Sequence, residues 1–381
     1  MPELTRIQGI NFPLNRLYLE YTNYCNMACT FCPYPYQTRA QGNMEFDTLK
    51  RIVDEVVEKN ITHEIEITGY GEPLMNPQWD KLSKYIIDSG LKLNITTNGL
   101  LLSESNCEKL AELDLNYIII SLQTPDEESF KIRKTSMKYD AYVKRLKKFI
   151  EILTGKNTNS HIRFRFLNTL GTKYMSFPEK VSVLNTKDEL VQSIKDWVEI
   201  IYDITGMEFD ETKVLNELAK VAKLQPTMIH ATDNITLESY LCNDFWAYGV
   251  KEQIKYPTKF ARCRSMTMES ALIYWDGEVS FCCADFNNYL NIGSLKDNSL
   301  LEVFDSEKAA SLVEGFRNFQ VKHPYCQNCL GGKSLFLSVT KAIASSLYGS
   351  SLSEFQEITL NPKPLSNGKL AQKVSETQDA V

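Results

Sequence analysis

Between residues 16 and 168 the chain alternates short runs of β-forming residues with longer stretches of helical period, an order that few architectures accept. The β-like runs are LYLEYT at 17–22, HEIEITG at 63–69, LKLNITT at 91–97, NYIIISLQ at 116–123 and HIRFRFLN at 161–168. Amphipathic patterns separate them at 46–60, 79–90, 103–113 and 139–153. Asp47 and Ser103 stand near helix starts and Gly90 just past a helix end. Repeated βα units give a parallel sheet with right-handed crossovers, either doubly wound or curved toward a barrel. The strand faces separate these two solutions, because residues two apart share a face. One face collects Leu17, Leu19, Ile65, Ile67, Leu93, Ile95, Ile118, Ile120, Leu122, Ile162, Phe164 and Phe166. The other collects Glu20, Glu64, Glu66, Asn94, Thr96, Ser121, Gln123, Arg163 and Arg165. A sheet covered by helices on both sides is apolar on both. One apolar face therefore means helices outside and a polar concavity inside. The expected fold is α/β, a partial (β/α)6 TIM-like barrel, with its chemistry at the C-terminal ends of the strands.

Beyond residue 171 the pattern is harder to read. Helical stretches at 187–204 and 211–224 and a short run, TMIHA at 227–231, are taken as the last, elaborated units of the barrel. This places the barrel at 1–235, with 171–235 elaborated. A small Cys-rich C-terminal domain follows at 236–345 and a tail at 346–381. From residue 351 the tail loses hydrophobic periodicity and gains Ser, Asn, Lys and Gln, so it is expected to be partly disordered.

The 381 residues carry a net charge of −6, with a pI near 5.5, which argues against an electrostatic grip on nucleic acid or on an anionic membrane. No purely aliphatic run is longer than three residues, the length of Ile118-Ile119-Ile120, and MPELTRIQGINF has no basic-then-apolar signal segment. A cytoplasmic protein without nucleic-acid or membrane partners is expected. For such a protein ten cysteines are an anomaly.

Cys25, Cys29 and Cys32 form a C-x3-C-x2-C group directly after the first strand, at the mouth of the barrel. Cys263, Cys282, Cys283, Cys326 and Cys329 form a second group, and only Cys107 and Cys242 lie between the two. Two local clusters around a Cys-poor body are not a disulfide framework. Thiolates grouped in this way suit iron–sulfur clusters or zinc, and three of them leave one coordination position open for chemistry. In the second group, Gly277-x4-Cys282 places a turn ahead of a thiolate and Cys326-x2-Cys329 closes the set. With Cys263 these make four thiolates, enough to complete one cubane or one zinc site, and Cys283 could replace Cys282. Cys107 lies in a helical pattern and reads as a packed thiol.

The triplet, with Phe31 just before its last cysteine, resembles the signature of the radical S-adenosylmethionine (SAM) enzymes. The resemblance implies a [4Fe–4S] cluster on Cys25, Cys29 and Cys32 whose fourth iron chelates SAM. One-electron reduction then cleaves SAM, and the 5′-deoxyadenosyl radical abstracts a substrate hydrogen. Gly69, Tyr70, Gly71 and Glu72, before Pro73, resemble the family's GGE motif, with Tyr70 a departure from it. Thr97 and Asn98 end the third strand and Ser121 stands near the end of the fourth, where the family's polar groups approach SAM. Gln123-Thr124 departs from the Asp-Gly usual there. Arg133, Arg163 and Arg165 are candidates for the SAM carboxylate or a substrate anion. For the last two the alternative is an ion pair with Glu20 or Glu66.

The C-terminal cysteines resemble the SPASM auxiliary-cluster extension in its shorter twitch form, implying a second [4Fe–4S] cluster on Cys263, Cys282, Cys326 and Cys329. Some relatives use a thiol to return hydrogen to a substrate radical. Cys242 is the candidate for that role, with a buried structural thiol as the alternative. The resemblance further implies a flavodoxin- or ferredoxin-type electron donor and an oxidation, crosslink or epimerisation. The substrate is expected to be a ribosomally made peptide, with a sugar, aminocyclitol or related metabolite as the alternative. Only about 16 residues precede the first strand, so leader-peptide binding is expected to fall to a separate protein. A non-catalytic iron–sulfur or zinc scaffold is the reading from another class.

Overall fold

The apolar strand residues decide how the sheet is covered. Leu17, Leu19, Ile65, Ile67, Leu93, Ile95, Ile118, Ile120, Phe164 and Phe166 are fully buried. They share one core with Ile52, Leu82, Leu110, Leu146 and Trp197 from the intervening helices, so the apolar face carries the helices. A computed structural model describes residues 6–156, 158–169, 181–222, 225–241, 255–263, 270–348 and 356–365. Its main sheet contains β1 (Arg16–Leu19), β2 (Glu64–Ile67), β3 (Lys92–Thr97), β4 (Tyr117–Gln123), β5 (His161–Asn168), β6 (Thr227–His230), β7 (Ile235–Leu241), β8 (Ser270–Ile273), β9 (Glu278–Ser280), β10 (Asn291–Ser294) and β11 (Gln356–Thr359). The order across the sheet is β10-β9-β8-β1-β2-β3-β4-β5-β7-β6-β11. Six strands, β1 to β5 and β7, run parallel in succession, the sheet of a partial (β/α)6 barrel.

Helices follow from local sequence. The helix Phe46–Glu58 buries Leu49, Ile52, Val53 and Val56, a stripe with the spacing of one helical face. Glu45 is its N-cap and Asp47 lies in its first turn. Ser103 caps the helix Glu104–Glu112 by accepting from the Asn106 amide. Thr186 caps the helix Lys187–Thr205, which ends on Gly206 at φ +69.

Three expectations change. The sixth parallel strand is β7, in register with β5 from Ile162 opposite Ile235 to Asn168 opposite Leu241. The run read at 227–231 instead becomes β6, antiparallel and outside it. The barrel therefore continues to Leu241, past the boundary expected at 235. The tail also contributes β11, which pairs parallel with β6, whereas residues 366–381 lie outside the described residues. On the other flank β8 pairs parallel with β1, so the C-terminal Cys-rich region continues the barrel sheet. Among the described residues no helix is long and apolar enough to cross a membrane.

The polar strand face lines the concavity and is held by ion pairs. Arg16 reaches Glu64 and Glu66, each at 2.5 Å. Arg165 Nε donates to Glu238 at 2.8 Å, and Arg163 stands 3.6 Å from the same carboxylate. Their ion-pair partner is thus Glu238 on β7, with the Glu66 charge also acting on Arg165. Glu20, fully buried, instead accepts a fork from Arg39 at 2.7 and 3.0 Å.

Candidate iron–sulfur and SAM site

The loop after β1 carries the first three cysteines and is closed on itself by Asn23. That side chain donates to the Ala40 carbonyl at 2.8 Å and accepts from the Gly42 amide at 2.9 Å. The loop is also stitched to the segment after β4, because the Ala28 and Thr30 amides donate to the Arg133 and Ile132 carbonyls. Cys29 is buried, and Cys25 and Cys32 are half-buried. Burial pushes the Cys25 thiol up to about 12, with the nearby Glu72 charge adding to it, and raises Cys29 and Cys32 likewise. Thiols withdrawn from water in this way ionise only when a cation takes the proton's place.

These thiols face a cavity of about 270 Å³ at the C-terminal ends of β2, β3, β4 and β7. Two glycines shape its second wall. A Cβ at Gly71 would stand 2.1 Å from the Thr22 carbonyl oxygen, and Gly69 holds φ +128, so the backbone approaches as only glycine allows. Glu72, 1% exposed, accepts from the Thr97 hydroxyl at 2.6 Å and the Asn98 amide at 2.7 Å. Burial lifts its carboxyl to about 7 against the pull of those donors. The Asn98 side chain donates to Asn26 at 2.7 Å and lies 3.9 Å from the Cys25 sulfur. Arg133 is buried. Its guanidinium donates to the Ser121 and Leu122 carbonyls at 2.6 and 2.8 Å and reaches the Cys29 thiol.

Cys25, Cys29, Phe31, Cys32, Gly69, Tyr70, Gly71, Glu72, Thr97, Asn98, Ser121 and Arg133 all line this one cavity. Arg163 and Arg165 are not in its wall, because Glu238 holds them deeper in the barrel. Cys242 lies outside the described residues. Sequence reasoning missed Tyr240 and undervalued Gln123. The Gln123 amide donates to the Tyr240 hydroxyl at 2.7 Å across the cavity, from a left-handed backbone at φ +53. The signal for Tyr240 was its place two residues after Glu238 on an inward-facing strand.

The second site is built on a turn that Asp285 holds, its carboxylate accepting from the Leu290 and Tyr289 amides at 2.7 and 2.9 Å and from the Ser280 hydroxyl at 3.2 Å. Gly277, at φ +83, makes the separate hairpin turn between β8 and β9 that precedes Cys282, and Cys326 and Cys329 lie on the short helix Pro324–Cys329. Burial raises the Cys282 and Cys326 thiols, with the Cys263 and Cys329 charges adding to both and the Cys283 charge adding to Cys282. Cys283 is exposed beside Cys282. No group of three or more His, Cys, Asp or Glu side chains among the described residues is arranged to hold a metal ion. A cluster is wider than one ion and takes thiols that stand apart, and a donor set of thiols alone fits iron–sulfur chemistry.

Residues 19–166 match the radical SAM superfamily, and residues 263–330 match an iron–sulfur cluster-binding domain, SPASM. The chain is 23% identical over 338 residues to the tungsten-containing aldehyde ferredoxin oxidoreductase cofactor-modifying protein of Pyrococcus furiosus, covering 82% of this chain and 86% of that one. It is 31% identical over 136 residues to a probable GTP 3′,8-cyclase of Methanococcus maripaludis, covering 35% and 45%. Streptococcus suis SuiB bound to precursor peptide SuiA has the same fold at a TM-score of 0.54 and 18% identity, with 91% of this chain and 77% of that chain covered. Domains of these two kinds carry SAM and iron–sulfur clusters, which are the cofactors of this protein. The chain therefore belongs to the radical SAM superfamily and bears a C-terminal SPASM-type iron–sulfur domain.

Proposed function

We propose that the protein is a radical SAM oxidoreductase that modifies a ribosomally made peptide by oxidation, crosslinking or epimerisation. The observation that carries the reading is the convergence of three withdrawn thiols with Glu72, Asn98 and Arg133 on one cavity at the strand ends. Cys25, Cys29 and Cys32 hold the first [4Fe–4S] cluster, and Cys263, Cys282, Cys326 and Cys329 hold the second. When bound, the first cluster and SAM supply a one-electron cleavage that lets a hydrogen atom be taken from an unactivated C–H bond. The protein's part is placement. The Gly69–Gly71 backbone would receive the amino end of SAM, and Glu72 fixes that turn to Thr97 and Asn98. Ser121 lines the same cavity and would be among the polar groups facing SAM. Arg133, pinned by two carbonyls, keeps a permanent charge beside Cys29 that favours its thiolate. Phe31 and Tyr240 narrow the cavity against water.

A peptide substrate is supported by SuiB, whose structure holds a precursor peptide. The Pyrococcus relative, matched over most of both chains, is a cofactor-modifying protein, and it favours a small molecule as the second reading. A flavodoxin- or ferredoxin-type donor supplies the electron, and a separate protein presents a peptide leader. Anaerobic reconstitution tests the chemistry. The expected result is about eight irons per chain and dithionite-dependent release of 5′-deoxyadenosine. Near-zero iron with stoichiometric zinc would sink it. Mass spectrometry of candidate precursor peptides incubated with the loaded enzyme then tests the substrate, and an unchanged peptide beside an altered small metabolite selects the second reading.

A further inference from the structure

Among the described residues, Tyr70 reaches from the first thiol cavity toward the aromatic residues of the second site, from a turn whose neighbours have no room for a side chain. Gly71 is pressed on the Thr22 carbonyl and Gly69 on Glu20, so the Gly69–Gly71 turn can project only the tyrosine. Its backbone is clamped from the first loop, with the Gln37 side chain donating to the Tyr70 carbonyl at 3.3 Å. Its ring lines the first cavity together with Cys32 and packs edge-on against Phe286 at 6.0 Å between centroids. Phe286 follows Cys282 by four residues and meets Tyr289 at 5.9 Å, and Tyr289 stacks on Tyr325 at 5.1 Å, next to Cys326. Burial raises the Tyr70 hydroxyl well above its usual range, and Tyr325, Cys283, Cys282 and Cys32 add to the shift.

The geometry points to Tyr70 as the aromatic link through which the two cluster sites exchange an electron. The inference rests on the two-cluster reading above and adds a path to it. The step is a single electron: the cluster at the Cys263, Cys282, Cys326 and Cys329 site is oxidised by one, and the cluster at the Cys25, Cys29 and Cys32 site is reduced by one. No bond is made or broken, and no proton moves. The ring serves as the intervening medium and is not itself oxidised. Tyr70→Phe keeps that medium. Tyr70→Met fills the space with a flexible chain and removes the ring.

The test uses the full chain, anaerobically reconstituted, with a pulse of photoreduced deazaflavin as the one-electron donor and freeze-quench EPR to follow the electron between the two clusters. Tyr70→Phe should redistribute it at the wild-type rate. Tyr70→Met should slow redistribution by about an order of magnitude or more, with iron content and each cluster's own spectrum unchanged. Redistribution in Tyr70→Met as fast as in wild type, with both clusters loaded, overturns the inference. If Tyr70→Met does not hold iron, the wild type decides: reduction of the second cluster should accelerate spin relaxation of the first, and independent relaxation overturns the link. Absence of iron from the wild type overturns the two-cluster reading itself, a result distinguishable from both.

Discussion

The Glu72 carboxylate accepts the Thr97 hydroxyl at 2.6 Å and, through its other oxygen, the Asn98 amide at 2.7 Å, joining the ends of β2 and β3 inside the cavity. The arrangement needs two acceptor oxygens. Replacing Glu72 by Gln turns an NH2 toward one of those donors and should cost about 1–3 kcal/mol of stability, together with SAM affinity. Urea unfolding and equilibrium binding of SAM measure the two, and a Gln variant matching wild type in both would show that the carboxylate only fills space.

The same carboxyl gives a pH dependence in the cofactor-free chain. Burial raises it from 4.5 to about 7, so the folded chain keeps a proton that the unfolded chain has released. The stability tied to Glu72 is full below about 4.5 and is lost as pH rises through about 7. The difference in stability between wild type and Glu72→Gln should therefore shift against wild type across that window. A difference that stays constant from acid to neutral pH contradicts the burial of an ionisable group here.

Cys282 and Cys283 are adjacent but differ in exposure: burial raises the Cys282 thiol, with Cys283, Cys263, Cys329 and Asp285 adding to it, whereas Cys283 is exposed. Cys282→Ala should lose about four of roughly eight irons per chain, and Cys283→Ala should keep them. Iron analysis paired with EPR of the remaining cluster settles the ligand. The reverse outcome assigns the role to Cys283.

Glu238 holds both Arg163 and Arg165 at 3.6 and 2.8 Å. Its neutral replacement removes the carboxylate that both guanidinium groups share, leaving Arg165 the Glu66 charge. Glu238→Gln is expected to destabilise the fold by about 3–5 kcal/mol, the range for breaking a buried pair from one side. Denaturant unfolding measures this, and a loss below about 1 kcal/mol would mean that solvent already screens the pair.

A methyl group at Gly71 would meet the Thr22 backbone at 2.1 Å. Gly71→Ala must therefore push the β2 turn off the first loop, at about 2–4 kcal/mol and with loss of SAM binding. A fully stable variant that binds SAM normally would show that the turn has slack.

What could be read from the sequence followed from periodicity. Five barrel strands alternate apolar and polar residues, so their faces were legible, and the cysteine spacing and glycine-flanked Glu72 were legible as local patterns. The strand ITLESYL was missed because Glu238 sits mid-strand beside a polar Ser239, and the carboxylate makes sense only once two arginines from β5 lie opposite. β11, QEIT, buries Ile358 deeply while Glu357 and Thr359 are exposed, too little pattern to mark a strand in a polar tail. β8 is four residues long and joins β1 from more than 250 positions away, a pairing that no local window reveals.

An open barrel has two bare flanks, and this one covers both with late segments of its own chain. β8 to β10 shield the hydrogen-bonding edge of β1, and β6 with β11 shields that of β7. The SPASM region therefore does more than carry thiols, since it stops the first strand from offering a template to another copy. A chain cut before β8 would present that ladder of unpaired amides to its neighbours and tend to aggregate even though every residue of the first cluster loop is present.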